Sequence, residues 1–169
     1  MINSLKNTLL FVTLIILQVW VFNNISLWGF MTPYLFLYIV LKVRVDIGHT
    51  TLLFIGFFTG LILDIFQNTL GMQAAATTAL AFVRPYTLNL FFKTSDFQPK
   101  ERPSLNRFKF GGFLKYVVVA VFVHHTVLFF LEAFTFHHFF QTLEKAFFNT
   151  LFTSSGIFVI EMLTQKKEK

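Results

Sequence analysis

Cysteine is absent from the 169 residues, which excludes disulfide frameworks, thiolate metal sites and cysteine nucleophiles and leaves the redox compartment unencoded. Charge is scarce, with Asp, Glu, Lys and Arg making up 13% of the chain, and only four prolines and eight glycines punctuate it. No P-loop, dinucleotide-binding glycine pattern or nucleic-acid module occurs. Internal repeats are also missing, and no soluble domain is expected within the 169 residues. What is present is apolar: 55% hydrophobic residues, 26 of them Phe, and a mean hydropathy of +0.66. A water-soluble fold of this length has too little interior to hide that surface, whereas lipid tails accept exposed Phe. The bilayer is the expected solvent.

A hydrocarbon core about 30 Å thick takes roughly 20 helical residues. Six segments approach this length, at residues 9–22, 27–41, 50–66, 70–92, 113–134 and 143–163. A polar turn at Asn23, Asn24 and Ser26 separates the first two, and no small-residue cleavage site follows the first, so it reads as an uncleaved span. The expected fold is an all-α, single-domain polytopic membrane protein of six transmembrane helices with both termini cytoplasmic. Under that arrangement 12 of the 14 basic residues face the cytoplasm, Lys145 lies outside and Arg84 lies within a span. The net charge of +6 therefore reads as a topology signal and an attraction to anionic lipids, not as a nucleic-acid footprint. The long cytoplasmic loop, 93–112, carries Lys93, Lys100, Arg102, Arg107 and Lys109 together with Pro99, Pro103 and the Gly111-Gly112 pair, and reads as irregular.

Polar groups inside spans cost a few kcal/mol on insertion scales, so each asks for a reason. Asp64 stands at the outer end of the third span before Gln67, Asn68 and Thr69, where it either fixes the turn, grips a partner helix or reaches water. Arg84 precedes Pro85, which removes a backbone donor and predicts a kink. Helical rise puts Arg84 roughly 20 Å from the outer end of its span, so the two are not expected to pair. Arg84 is expected to reach cytoplasmic head groups or the bundle interior. Gly56 and Gly60 form a GxxxG facing an Ala-rich fourth span with Ala74 and Ala75, which predicts a tight hairpin of the two.

His124 and His125 fall in mid-span, with Glu132, His137 and His138 further out. Adjacent histidines on a helix diverge by about 100°, so no metal site is expected. Ser154, Ser155 and His125 supply protease residue types, but Thr153 stands where a rhomboid-like Gly-x-Ser-Gly needs its first Gly. No enzyme activity and no cofactor is expected.

From Gly60-Leu61-Ile62-Leu63-Asp64-Ile65-Phe66 through Leu70-Gly71-Met72-Gln73-Ala74-Ala75-Ala76, the chain resembles the rod shape-determining protein MreD family. Leu17-Gln18-Val19, Asn23-Asn24, Thr32-Pro33-Tyr34 and Arg84-Pro85 extend the similarity over roughly residues 10 to 92. The resemblance implies a bacterial inner-membrane protein of the cell-elongation complex without enzymatic activity. Its implied partners are a bitopic MreC-like protein and, through it, an MreB-like filament and the peptidoglycan synthases. Asp64, Leu70, Gly71 and Arg84 would then be structural or partner-facing. The alternative expectation is the substrate-binding membrane subunit of a vitamin-type transporter, in which Asp64, Gln67, Gln73, Glu132, His137 and His138 gather around a ligand.

Overall fold

The computed structural model describes residues 2–22, 31–92, 97–98 and 100–164, with side chains from Leu9 onward. The polar turn at Asn23, Asn24 and Ser26, Lys93 of the basic loop, and Lys166, Lys167 and Lys169 lie outside the described residues. Among those described, the fold is all-α without a strand: α1 (Ile2–Trp20), α2 (Leu37–Leu41), α3 (His49–Gln67), α4 (Met72–Phe91), α5 (Leu105–Ala133) and α6 (Phe139–Thr164). Three of these, α3, α5 and α6, are long and apolar enough to cross a membrane. Helix α4 is of similar length to α3 but more polar, since Gln73, Thr77, Arg84, Thr87 and Asn89 interrupt its apolar residues.

Helices α3 to α6 pack as consecutive antiparallel neighbours. Gly56 abuts Thr77 and Ala81 while Gly60 abuts Gln73 and Ala74, so α3 and α4 run in opposite directions. The stacked rings of Phe92 and Phe108, 3.7 Å apart, and the pair formed by Arg84 and Tyr116 do the same for α4 and α5. Thr150 beside His125 and Lys145 beside Glu132 set α6 against α5. One end of the bundle therefore holds the α3–α4 and α5–α6 turns. The opposite end holds residues 42–48, 97–108 and the last turn of α6.

The second predicted span is not a helix through most of its described length. Residues 32–34 are irregular and 35–36 form a turn, leaving a single helical segment of five residues in α2. Thr32-Pro33-Tyr34 explains the difference, because Pro33 has no N–H and disfavours helical geometry in the residue before it. An unwound segment in a bundle interior is tolerated only where protein satisfies its backbone groups. Here protein does so. Gln18 of α1 donates to the Pro33 carbonyl at 2.9 Å and accepts from the Leu35 N–H at 2.9 Å. Asn149 and Thr153 of α6 accept from the Thr32 and Tyr34 N–H groups at 2.9 and 3.1 Å. Gly156 leaves room beside them for the Leu35 side chain, whose Cδ2 would stand 2.5 Å from a Cβ at that position.

The basic loop is also shorter than predicted. Helix α5 begins at Leu105, with the Ser104 side chain accepting from the Arg107 N–H, and includes Gly111 and Gly112. The break from helical geometry falls at Lys109, whose φ is 55°, while α4 continues through Arg84 and Pro85 without interruption.

Candidate functional site

Apolar side chains form a buried core and also cover much of the outside, while a set of polar side chains lies buried among them. Phe54, Phe58, Ile65, Leu90, Val159 and Leu163 face outward. Gln18, Arg84, His124, His125, Asn149 and Glu161 lie inside, none more than 1% exposed. Apolar side chains on the outside with polar groups confined to the inside are what a helical membrane bundle requires. Four polar clusters are embedded in the hydrophobic core.

The first caps the α3–α4 turn. Asp64 is 4% exposed, and its Oδ1 accepts from the Thr69 hydroxyl at 2.5 Å and the Gln73 N–H at 3.0 Å. Its Oδ2 accepts from the Ala74 N–H at 2.8 Å. The carboxylate thus meets the free amides at the start of α4, where the helix dipole favours negative charge. Asn68 and Gly71 turn the chain with φ of 55° and 83°, and a side chain at position 71 would be strained there whatever the space around it. Of the alternatives for Asp64, fixing the turn is the observed one. Leu70 stands at the tip, 98% exposed.

The second holds the end of the unwound segment. Arg84 donates from Nε to the Tyr116 hydroxyl at 3.0 Å and from Nη2 to the Leu41 carbonyl at 3.3 Å and to the Val43 carbonyl. Tyr116 donates to the same Leu41 carbonyl at 2.9 Å. Arg84 therefore turns into the bundle, where it satisfies carbonyls left free as α2 ends. It and Asp64 have separate partners.

The third cluster centres on Glu161. Its carboxylate accepts from the Tyr38 hydroxyl at 2.7 Å, from the Lys42 ammonium at 2.9 to 3.0 Å and from the Leu105 N–H at 3.2 Å. Lys42 donates as well to the Pro103 carbonyl at 2.6 Å. One buried carboxylate in α6 thereby ties the end of α2 to the start of α5. Burial lowers the Lys42 pKa, and Glu161 opposes that shift.

The fourth is the histidine pair, ring centroids 5.4 Å apart and edge to face, with Tyr34 5.2 Å from His125 and 5.9 Å from His124. His125 Nδ1 lies 3.1 Å from the Val121 carbonyl and 3.3 Å from the Thr150 hydroxyl. Both nitrogens of His124, Nε2 of His125, and the hydroxyls of Thr77 and Ser154 are buried without a protein partner. Ser154 makes no hydrogen bond to His125, and Ser155 donates to the Leu151 carbonyl at 2.8 Å. Among the described residues no three His, Asp or Glu side chains gather as a metal site would require.

The remaining predicted residues divide. Gly56 and Gly60 sit in the α3–α4 seam, where an added Cβ at Gly56 would come within 2.7 Å of Ala81 and one at Gly60 within 2.6 Å of Ala74. Ala74 lies in that seam, but Ala75 is exposed on another face of α4, a correction to the predicted packing pair that follows from the roughly 100° step between adjacent helical residues. Pro85 borders a small cavity with Arg84 and His49. Of the basic loop, Arg107 pairs with Glu101 at 3.1 Å, and Lys100, Arg102 and Lys109 are exposed. Sequence reasoning missed Glu161, Tyr116, Asn149 and Thr153. The available signal was the polar stripe Asn149, Thr150, Thr153, Ser154 and Glu161 in an otherwise apolar helix, which marks a bundle-facing side.

The class that this fold defines is an all-helical protein with three helices suited to crossing a membrane. Beyond the class, comparison yields no relative: no known protein family, no curated protein and no solved structure matches the chain.

Proposed function

We propose that this chain is a non-enzymatic scaffold of the bacterial cell-elongation complex, a six-span inner-membrane protein with both ends cytoplasmic. It acts beside an MreC-like bitopic protein and, through it, on an MreB-like filament and the peptidoglycan synthases. One observation carries the reading. The residues on which the resemblance to MreD rests serve as framework: Asp64 caps α4, Gly71 turns the chain, and Arg84 closes α2. Those devices leave a rigid hairpin tip with Leu70 exposed for a partner. The six-span topology draws support from the antiparallel order of α3 to α6 and from Lys42, Arg44, Arg102 and Arg107 sharing one end.

Depletion in a rod-shaped host is the test. The scaffold reading expects cells to round up and a single-span periplasmic partner to co-purify with the wild type. Leu70→Glu is expected to abolish that co-purification at unchanged thermal stability. Normal cell shape together with no such partner rejects the reading. The transporter alternative draws support from the buried unpartnered groups of Gln73, Thr77, His124 and Ser154, which a polar ligand would satisfy. A stoichiometric metabolite retained by the purified protein would select it.

A further inference from the structure

A cleft of about 390 Å³ opens between α1, the α2–α3 connection and α3. Leu10, Phe11, Ile39 and Ile55 line it together with Lys42, Arg44 and Arg102. The volume falls in the range of ligand sites, which run from about 300 to 1,000 Å³. The lining thus combines apolar side chains with three cations. Lys42 is held by Glu161 at 2.9 Å, and Arg44 has only a loose, half-exposed contact to Asp46 at 3.5 Å. Among the described residues no carboxylate pairs with Arg102, so the cleft is lined by three cations and no carboxylate, two of the cations being paired with Glu161 and Asp46 outside the lining.

We infer that this cleft is a binding site for one anionic phospholipid, its phosphate held by Arg44 and Arg102 and the start of an acyl chain laid along Leu10, Phe11, Ile39 and Ile55. Charge complementarity selects the head group and the apolar lining selects a lipid over a free anion. Basic pockets between helices at a membrane surface recognise anionic head groups in this way. The bound lipid would add to the packing of α1 on α3 and to the hydrogen bonds that Gln18 makes with the unwound segment. The inference rests on the membrane reading and is independent of the scaffold reading, so it stands or falls whatever depletion does to cell shape.

Native mass spectrometry of the full chain, released from nanodiscs of mixed phosphatidylglycerol and phosphatidylcholine, reads occupancy directly. The expected result is one retained phosphatidylglycerol per chain and a rise in melting temperature when phosphatidylglycerol is titrated into protein held in phosphatidylcholine. The pair Arg44→Gln and Arg102→Gln, at a half-exposed and an exposed position, is expected to weaken the apparent affinity at least tenfold while leaving the melting temperature in phosphatidylcholine alone unchanged. Leu10→Trp, which fills the cleft and keeps the charges, is expected to reduce retention as well. If the Arg pair folds poorly, Arg102→Gln alone serves. Equal retention of phosphatidylcholine, full retention by both variants, or an equal melting shift with glycerol phosphate or inorganic phosphate would each overturn the inference.

Discussion

Asp64 bears on stability through three hydrogen bonds that no other side chain near the turn replaces. Asp64→Leu leaves two buried amides without acceptors and is expected to cost about 2–3 kcal/mol, while Asp64→Asn, which keeps one acceptor oxygen, is expected to cost less than half of that. Denaturation in mixed micelles, followed by circular dichroism, measures both. His124 behaves in the opposite way. Since neither ring nitrogen has a protein partner, His124→Leu is expected to fall within about 1 kcal/mol of the wild type or to stabilise it, as removing a desolvated polar group without a partner is close to neutral. A loss of several kcal/mol there would mean that the ring holds a ligand or water. At this scale the sequence named Asp64 and Arg84 because charges inside apolar runs need a reason. It could not name most of their partners, since the Gln73 and Ala74 amides and the Leu41 and Val43 carbonyls are backbone groups that every residue carries, and the Tyr116 hydroxyl lies 32 residues from Arg84.

The α3–α4 hairpin was legible as an element. Small residues at four-residue spacing opposite an Ala-rich helix dictate close approach, and Gly60 lies against the α4 backbone itself. Gly60→Val should therefore separate the helices at a cost on the order of 3 kcal/mol. Gly111→Ala is the matched control: a Cβ there meets nothing within 4 Å, and the change should be neutral or stabilise α5 by about 0.5–1 kcal/mol. Hydrophobic patterning predicted a helix across 27–41 because Leu, Phe, Tyr, Ile and Val suit a buried unwound segment as well as a span. What distinguishes the two is the side chain that substitutes for the helical hydrogen bond, and Gln18, Asn149 and Thr153 come from elements far along the chain. Gln18→Leu is expected to destabilise by about 2–3 kcal/mol, with protease sensitivity appearing between α1 and α2 before global unfolding, since it orphans the Leu35 N–H and the Pro33 carbonyl together.

For the whole molecule the prediction concerns sidedness. Reporter fusions at Ile47 and Arg102 should report the cytoplasm, and fusions at Leu70 and His137 should report the opposite side, because α3 to α6 alternate in direction. A split between Ile47 and Arg102 would contradict the antiparallel packing of α3 and α4 with residues 97–108 at one end. Glu161 has its effect at this scale too. It joins residues from α2, the α2–α3 connection, α5 and α6 at the basic end, so Glu161→Leu should loosen several elements at once and leave the Lys42 charge buried without its counter-ion.

Composition and periodicity by themselves determined that the chain is helical and apolar on its outer surface, because the cost of unpaired backbone groups in lipid leaves few alternatives. They also marked the turn at Asn68 to Gly71 and the tight seam beside it, since both depend on local residue size and backbone freedom. Only the tertiary structure decided that residues 32–36 are unwound and that Arg84 turns inward. It alone decided that Glu161 is the tie between α2, α5 and α6. Each of these rests on hydrogen bonds between groups distant in sequence, and hydropathy carries no record of which distant donor meets which acceptor.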